Sequence, residues 1–329
     1  MKCFSPKIRT GLLCCALSAL TSCARLDHST NSGLQRELIE RSRQGLALAQ
    51  YQTRPVLQIN LLLFDGSSKR LEVACCSRAE APTISRNRLV VVDMTSSPSL
   101  NPLRVSPSDF LQQLRVCGGQ VVVMDTRNTV LARSEIRIWP AEVSLSPDER
   151  LFAFVSALQG GQQRDQGLYV AGFGKGEARK LMNVTRPTSH DGYQVHTTVD
   201  WSPDGKSLVF NGDGAVLLVD LRTGRSRKVA DGSAPLWSPS GDWISYVTPD
   251  REAALLNVSS GESRRIDPGK KTGTPLEWSP DGKYLLILEG EGSHVPYGCL
   301  WVYRVSDGAF VPIPNYYGTG GPRAQWIQL

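Results

Sequence analysis

The chain has 329 residues, 37 Lys and Arg against 31 Asp and Glu, and an apolar share of 40%. That length allows one large domain or two small ones, and the apolar share is enough to build a core. The formal net charge of +6 is too mild to point to a nucleic-acid partner, which calls for a clustered basic face.

Lys2, Lys7 and Arg9 stand ahead of a short apolar run, Gly11 to Leu20, and the run ends in Leu20-Thr21-Ser22-Cys23. This order of basic, apolar and small residues is that of a secretory signal, and the apolar run is too short to span a bilayer as a stable helix. The tetrapeptide resembles a bacterial lipobox. The resemblance implies a diacylglycerol on the Cys23 thiol, removal of residues 1–22 as a signal peptide, and attachment to a membrane through that lipid. The alternative is a plain signal peptide cut after Ala19 or Ala24. Buried acyl chains contribute about 0.8 kcal/mol per CH₂, so two or more hold a protein firmly on a membrane. Ala24, rather than Asp, after the Cys points toward the periplasmic face of the outer membrane. Removing the leader leaves 34 basic against 31 acidic residues.

Four cysteines follow: Cys75, Cys76, Cys117 and Cys299. An exported compartment permits disulfides, and three pairings are open, of which Cys75–Cys76 is the most strained. No C-x-x-C pair is present, and neither a metal nor a cofactor is expected. Residues 23–54 read as a polar tether and a short helix. Ser32 and Gln35 can form a capping box, and Leu34, Leu38, Ser42 and Leu46 share one helical face over about residues 33–48.

From residue 55 onward, short apolar runs alternate with turn residues, and one phrase recurs. It is Trp201-Ser-Pro-Asp-Gly-Lys, then Trp237-Ser-Pro-Ser-Gly-Asp, then Trp278-Ser-Pro-Asp-Gly-Lys, with a weaker copy at Leu145-Ser-Pro-Asp-Glu-Arg and a degraded one at Ile84-Ser-Arg-Asn-Arg. The final Ala324-Gln-Trp-Ile-Gln-Leu329 looks like the opening of another. The separations of 61, 56, 36, 41 and 48 residues fall in the range of repeat architectures. Pro presets the turn, Asp or Ser bonds the nearby backbone, and Gly takes the left-handed position without steric cost. Six hairpins follow in step: LLLFD-GSSK-RLEVA, VVVMD-TRN-TVLA, LYVAG-FGKGE-ARKL, VLLVD-LRTG-RSRKV, ALLNV-SSGE-SRRI and LWVYR-VSDG-AFVPI. Six openings match six hairpins only if the C-terminal segment opens the blade that residues 55–76 finish.

The repeated Trp-Ser-Pro-Asp-Gly-Lys phrase resembles the TolB-like, WD-repeat-like β-propeller family over residues 55–329. The resemblance implies an all-β ring of four-stranded blades around a channel. The expected fold is six-bladed, closed by the C-terminal strand, with a short N-terminal helix. TolB itself carries an α/β domain before its propeller and is soluble, so its known partner does not carry over. Residues 95–118 interrupt the first hairpin region, with Ser106 placed to cap a short helix.

Gly205-Lys206-Ser207 lacks the first glycine of a phosphate loop, since position 200 is Asp, and Gly172 to Gly176 reads as a hairpin turn. No nucleophile elbow or H-E-x-x-H motif occurs, so no enzymatic activity is expected. The segment Ser189 to Asp200 is a long connection into a repeat. By family analogy it reaches the channel mouth, where His190, Asp191, Tyr193 and His196 can contact a ligand or partner, form a metal site or acid–base pair, or simply be a solvated loop. Glu142, Glu277 and Arg323 stand at comparable places before their strands, where they line the same mouth or cap strands. The expectation is a monomeric, lipid-anchored scaffold for an envelope protein partner. The alternative is an envelope enzyme, or a glycan or small-ligand binder, with its site at the mouth.

Overall fold

The computed structural model describes residues 32–52, 58–65, 67–72, 79–85, 88–93, 120–124, 130–135, 140–156, 167–174, 178–184, 199–266, 273–289, 299–313 and 324–328. Among them are one helix, α1 (Ser32–Arg43), and strands forming six four-stranded antiparallel sheets. From inside outward, blade 1 is β24 (Ala324–Gln328), β1 (Leu46–Gln52), β2 (Gln58–Leu62) and β3 (Ser68–Glu72). Blade 2 is β4 (Ala79–Ser85), β5 (Arg88–Asp93), β6 (Gln120–Met124) and β7 (Val130–Glu135). Blade 3 is β8 (Pro140–Leu145), β9 (Leu151–Ser156), β10 (Gly167–Gly172) and β11 (Arg179–Met182). Blade 4 is β12 (Val199–Trp201), β13 (Ser207–Gly212), β14 (Ala215–Asp220) and β15 (Ser226–Asp231). Blade 5 is β16 (Ser233–Trp237), β17 (Trp243–Val247), β18 (Ala253–Asn257) and β19 (Ser263–Arg265). Blade 6 is β20 (Thr274–Trp278), β21 (Tyr284–Glu289), β22 (Cys299–Arg304) and β23 (Phe310–Pro312). The innermost strands neighbour one another in the order β24, β4, β8, β12, β16, β20, and β20 returns to β24, which closes the ring.

The recurring phrase builds the turn between the first and second strand of a blade. The Ser202 hydroxyl donates to Asp204 Oδ1 (2.7 Å) and accepts the Ser207 amide (2.9 Å), while Asp204 Oδ1 also accepts the Lys206 amide (3.0 Å). These bonds hold the Asp204 carboxyl below its usual range, and those from Ser146 and Arg150 do the same to Asp148. Gly205 sits at φ +69°, a conformation that costs a side-chain-bearing residue free energy.

Each Trp ahead of that turn is wedged against the preceding blade. Trp201 packs with Ala153, Val155, Leu168 and Val170 of blade 3, Trp237 with Val209, Val216 and Leu218 of blade 4, and Trp278 with Ala253 and Leu255 of blade 5. The indole of Trp278 donates to Ser245 Oγ (3.1 Å) and that of Trp201 to the Ser144 carbonyl (3.0 Å). Where the register puts Ser245 in blade 5, blades 4 and 6 carry Val209 and Leu286, and the indole nitrogens of Trp237 and Trp326 find no acceptor among the described residues.

The helix ends earlier than the sequence pattern suggests. Ser32 is already helical, Gly45 takes φ +94° after Arg43, and the chain enters β1 at Leu46. The expected helix to about residue 48 and the expected propeller start at 55 therefore give way to a strand over 46–52. Leu46 continues the spacing of Leu34, Leu38 and Ser42, so the pattern runs through the glycine that stops the helix. Ser42 Oγ accepts the Phe64 amide (3.0 Å), which pins the helix end to blade 1. The helix docks beside the turn face of blade 6: Arg41 pairs with Asp281 (2.5 Å), and Glu37 accepts from the Tyr284 hydroxyl and from Arg304.

The ring closes through both chain ends. β24 pairs with β1 in the register Leu48↔Trp326, and Trp326 packs with Leu34, Leu38, Phe64, Tyr284 and Leu286. The expected helper strand from the C-terminus is therefore present, and β1 supplies the second strand of the blade. Deleting residues 324–329 is expected to lower stability by about 3–5 kcal/mol, the scale of losing a buried large side chain, and to shift the urea unfolding midpoint accordingly. An unchanged midpoint would contradict closure.

Candidate functional site at the ring axis

The innermost strand of every blade has one edge that no strand pairs, and its amides need acceptors. Because side chains alternate along a strand, the residue before each Trp faces away from the side the Trp packs on. In order around the ring these positions, with Ile84 and Leu145 standing in the place of the Trp in blades 2 and 3, are Thr83, Ser144, Asp200, Leu236, Glu277 and Gln325. Two of the six are carboxylates.

Asp200 binds three blades together. Its Oδ2 accepts the Trp237 amide of β16 (2.9 Å), and its Oδ1 accepts the Ser144 hydroxyl of β8 (3.1 Å) and the Trp201 amide (2.9 Å). Glu277 repeats the first of these bonds two blades on, accepting the Trp326 amide of β24 through Oε2 (2.7 Å). Burial pushes the Glu277 carboxyl well above its usual range, and the Asp200 charge adds to this, while the Trp326 amide works in the opposite direction. The surrounding protein desolvates the group even though part of its surface stays open to water.

Glu277 lies inside β20, directly before Trp278, not in a connection ahead of the strand. Glu142 lies inside β8 but stands three residues before Leu145, so it and Glu277 are not at matching positions. His190, Asp191, Tyr193, His196 and Arg323 fall outside the described residues, as do Cys23, Cys75, Cys76, Cys117 and the Ser106 segment; Cys299 opens β22 opposite Glu289. The strands that bound the connection 185–198, β11 and β12, meet it on the face opposite the Ser-Pro-Asp-Gly turns. Among the described residues no cluster of His, Cys, Asp or Glu suits a metal ion. The role of Asp200 was missed in the sequence because it closes a polar segment. The usable signal was an acidic residue directly before a repeat Trp, occurring twice.

A carboxyl whose folded pKa is raised binds its proton more tightly in the folded state. Its contribution is greatest below the unfolded value, and stability falls as pH rises from there through the folded value. Glu277→Gln keeps an oxygen for the Trp326 amide and removes the charge. The variant should melt at least as high as wild type at pH 8 and lose the decline between pH 5 and 8. Parallel melting curves against pH for the two proteins would refute the assignment.

No family model matches the chain. An alignment of 95 positions, which takes in 26% of the chain, is 38% identical to the protein named "Uncharacterized peptidase YuxL" of Bacillus subtilis (strain 168), and it covers only 13% of that protein's length. Among solved structures, TolB from Acinetobacter baumannii superposes with a TM-score of 0.59 at 15% identity, covering 86% of this chain and 66% of the other. The putative TolB from Agrobacterium tumefaciens gives 0.53 at 14% identity, covering 87% of this chain and 98% of the other. The protein is thus a six-bladed β-propeller similar in fold to the propellers of TolB proteins.

Proposed function

We propose that the protein is a lipid-anchored propeller of the cell envelope that binds a protein partner through one face of its ring. The observation that carries this reading is the division of the ring into two unlike faces. One face bears the short repeat turns, fixed by their own Ser and Asp side chains. The connections 94–119, 157–166, 185–198, 290–298 and 314–323 all join strand ends on the other. Connections carried on a rigid scaffold are where binding residues concentrate. His190, Asp191, Tyr193 and His196 belong to one of these connections and Arg323 to another, which supports a shared contact surface. The axial carboxylates stand at the turn ends of their strands and are engaged in holding strands. Cys23, made N-terminal by removal of residues 1–22, supplies the anchor at the periplasmic face of the outer membrane.

A second reading is a glycan or small-ligand site, or an enzyme, at a mouth of the channel. Glu277 favours it, because a desolvated carboxyl with a raised pKa that also feels the charge of a second carboxylate, Asp200, is a pattern that functional sites share. The name of the partly matching Bacillus protein leans the same way.

Mass spectrometry of the mature N-terminal peptide should show an acylated Cys23; an unmodified peptide starting at Ala24 would contradict the anchor. Cross-linking in intact envelopes followed by capture of the tagged protein should yield a defined partner. That yield should drop at least tenfold in a His190→Ala, Tyr193→Ala, Arg323→Ala variant with unchanged melting. Equal capture by the variant would refute this face as the contact surface. Loss of a turnover or glycan-binding signal in Glu277→Gln would favour the second reading.

A further inference from the structure

The turn face carries a basic corner that no fold requirement explains. Arg222 and Arg225 lie in the turn between β14 and β15, and Arg227 and Lys228 follow in β15; all four are exposed. Neighbouring elements bring two more cations to the same corner. Arg179 of blade 3 donates to the Leu221 carbonyl (3.1 Å), and the Leu221 amide bonds the carbonyl of Lys206 in the repeat turn (3.0 Å). The carboxylates nearby do not cancel them. Asp204 lies 3.6 Å from Lys206 and Asp231 pairs with Lys228 at 2.5 Å, while Asp220, tied to Thr223 in its own turn, also feels the Arg222 charge; three carboxylates offset six cations only in part. Among the described residues, Arg222, Arg225 and Arg227 form no ion pair. Cations on an outermost strand protect its open edge, and blades 3 and 5 carry Arg179, Lys180, Arg264 and Arg265 there. Edge protection does not call for Arg222 and Arg225, which sit beyond the strand ends.

The N-terminal segment arrives on this same face. Glu37 and Arg41 of α1 bond Tyr284, Arg304 and Asp281, which lie at the turn ends of blade 6, and α1 leads into the turn end of β1. Cys23 is nine residues before Ser32, so the lipid is at most about 30 Å of extended chain from the helix. The long connections join strand ends on the opposite face.

We propose that the turn face lies against the membrane and that the corner of Arg179, Lys206, Arg222, Arg225, Arg227 and Lys228 binds anionic lipid headgroups. This rests on Cys23 carrying the lipid. The partner-binding face then points away from the bilayer. Each cation near an anionic surface strengthens association about fivefold, so a lipid and a basic patch act as two signals for one orientation.

The full-length protein, purified from membranes, carries a genetically encoded azide for a fluorophore at Ser226, in the basic corner, or at Asp250, on the opposite face. It is reconstituted into vesicles with an energy acceptor at the bilayer surface, made of phosphatidylcholine alone or with phosphatidylglycerol. Transfer from position 226 should exceed that from 250 by severalfold with phosphatidylglycerol. The difference should shrink with phosphatidylcholine alone, in 0.5 M salt, and in an Arg222→Gln, Arg225→Gln, Arg227→Gln variant of unchanged melting temperature. Equal transfer from both positions, or transfer from 226 indifferent to lipid charge and to the variant, would overturn the proposal. Flotation separates this from the anchor itself. Failure to float with phosphatidylcholine vesicles would refute the lipid on Cys23, and flotation with phosphatidylglycerol vesicles that the Gln variant loses would still uphold the basic corner.

Discussion

A ring of sheets has no free start, so everything in this protein depends on how the first and last blades are joined. The chain joins them by giving β24 to blade 1, where it becomes the innermost strand against β1. The helix that precedes β1 is then placed where the other blades have a repeat turn, and it fills that position with Leu34 and Leu38 against Trp326 and Tyr284. The inner edge poses the same problem on a smaller scale, since six strands face the axis with unpaired amides. Asp200 and Glu277 answer it by taking amides of β16 and β24 from the neighbouring blade. Trp packing, edge satisfaction and closure thus meet at Trp326, whose side chain fills the seam and whose amide is held by Glu277.

The repeat made most of this legible. Trp201, Trp237 and Trp278 mark equivalent positions because each must fill the same interblade gap, and the Ser-Pro-Asp-Gly turn is local chemistry that needs no tertiary partner. The weak copies at Leu145 and Ile84 stand on inner strands as well, although neither has the Trp. β1 was hidden because Leu46 fits both a helical face and a strand, and only Gly45 separates them. The axial carboxylates were harder to read, because their partners are backbone amides far away in sequence that only the closed ring brings near. Counting charge over the whole chain concealed the basic corner, since the cations between Arg222 and Lys228 are offset by acids elsewhere.

The two faces of the ring are built differently. The turn side receives α1, carries Arg222 and Arg225 and is built from short, self-satisfied turns. The other side collects the long connections, including the one with His190, Asp191, Tyr193 and His196. Between them the axis is held by carboxylates whose first task is structural. Glu277 therefore bears a cost in charge for the sake of the seam, and a raised pKa there reports burial before it reports catalysis. A propeller organised in this way has one side of short, self-bonded turns and one side of long connections.

The most direct test of this account is native-state hydrogen exchange of the C-terminal strand, followed by mass spectrometry on a peptide that contains Trp326. If closure and the Glu277 clasp hold the ring together, its amides should exchange only with global unfolding, as slowly as those of β13 in the middle of blade 4. Exchange of that peptide orders of magnitude faster than β13 would mean that the ring stands without its last strand, and the central claim would fail.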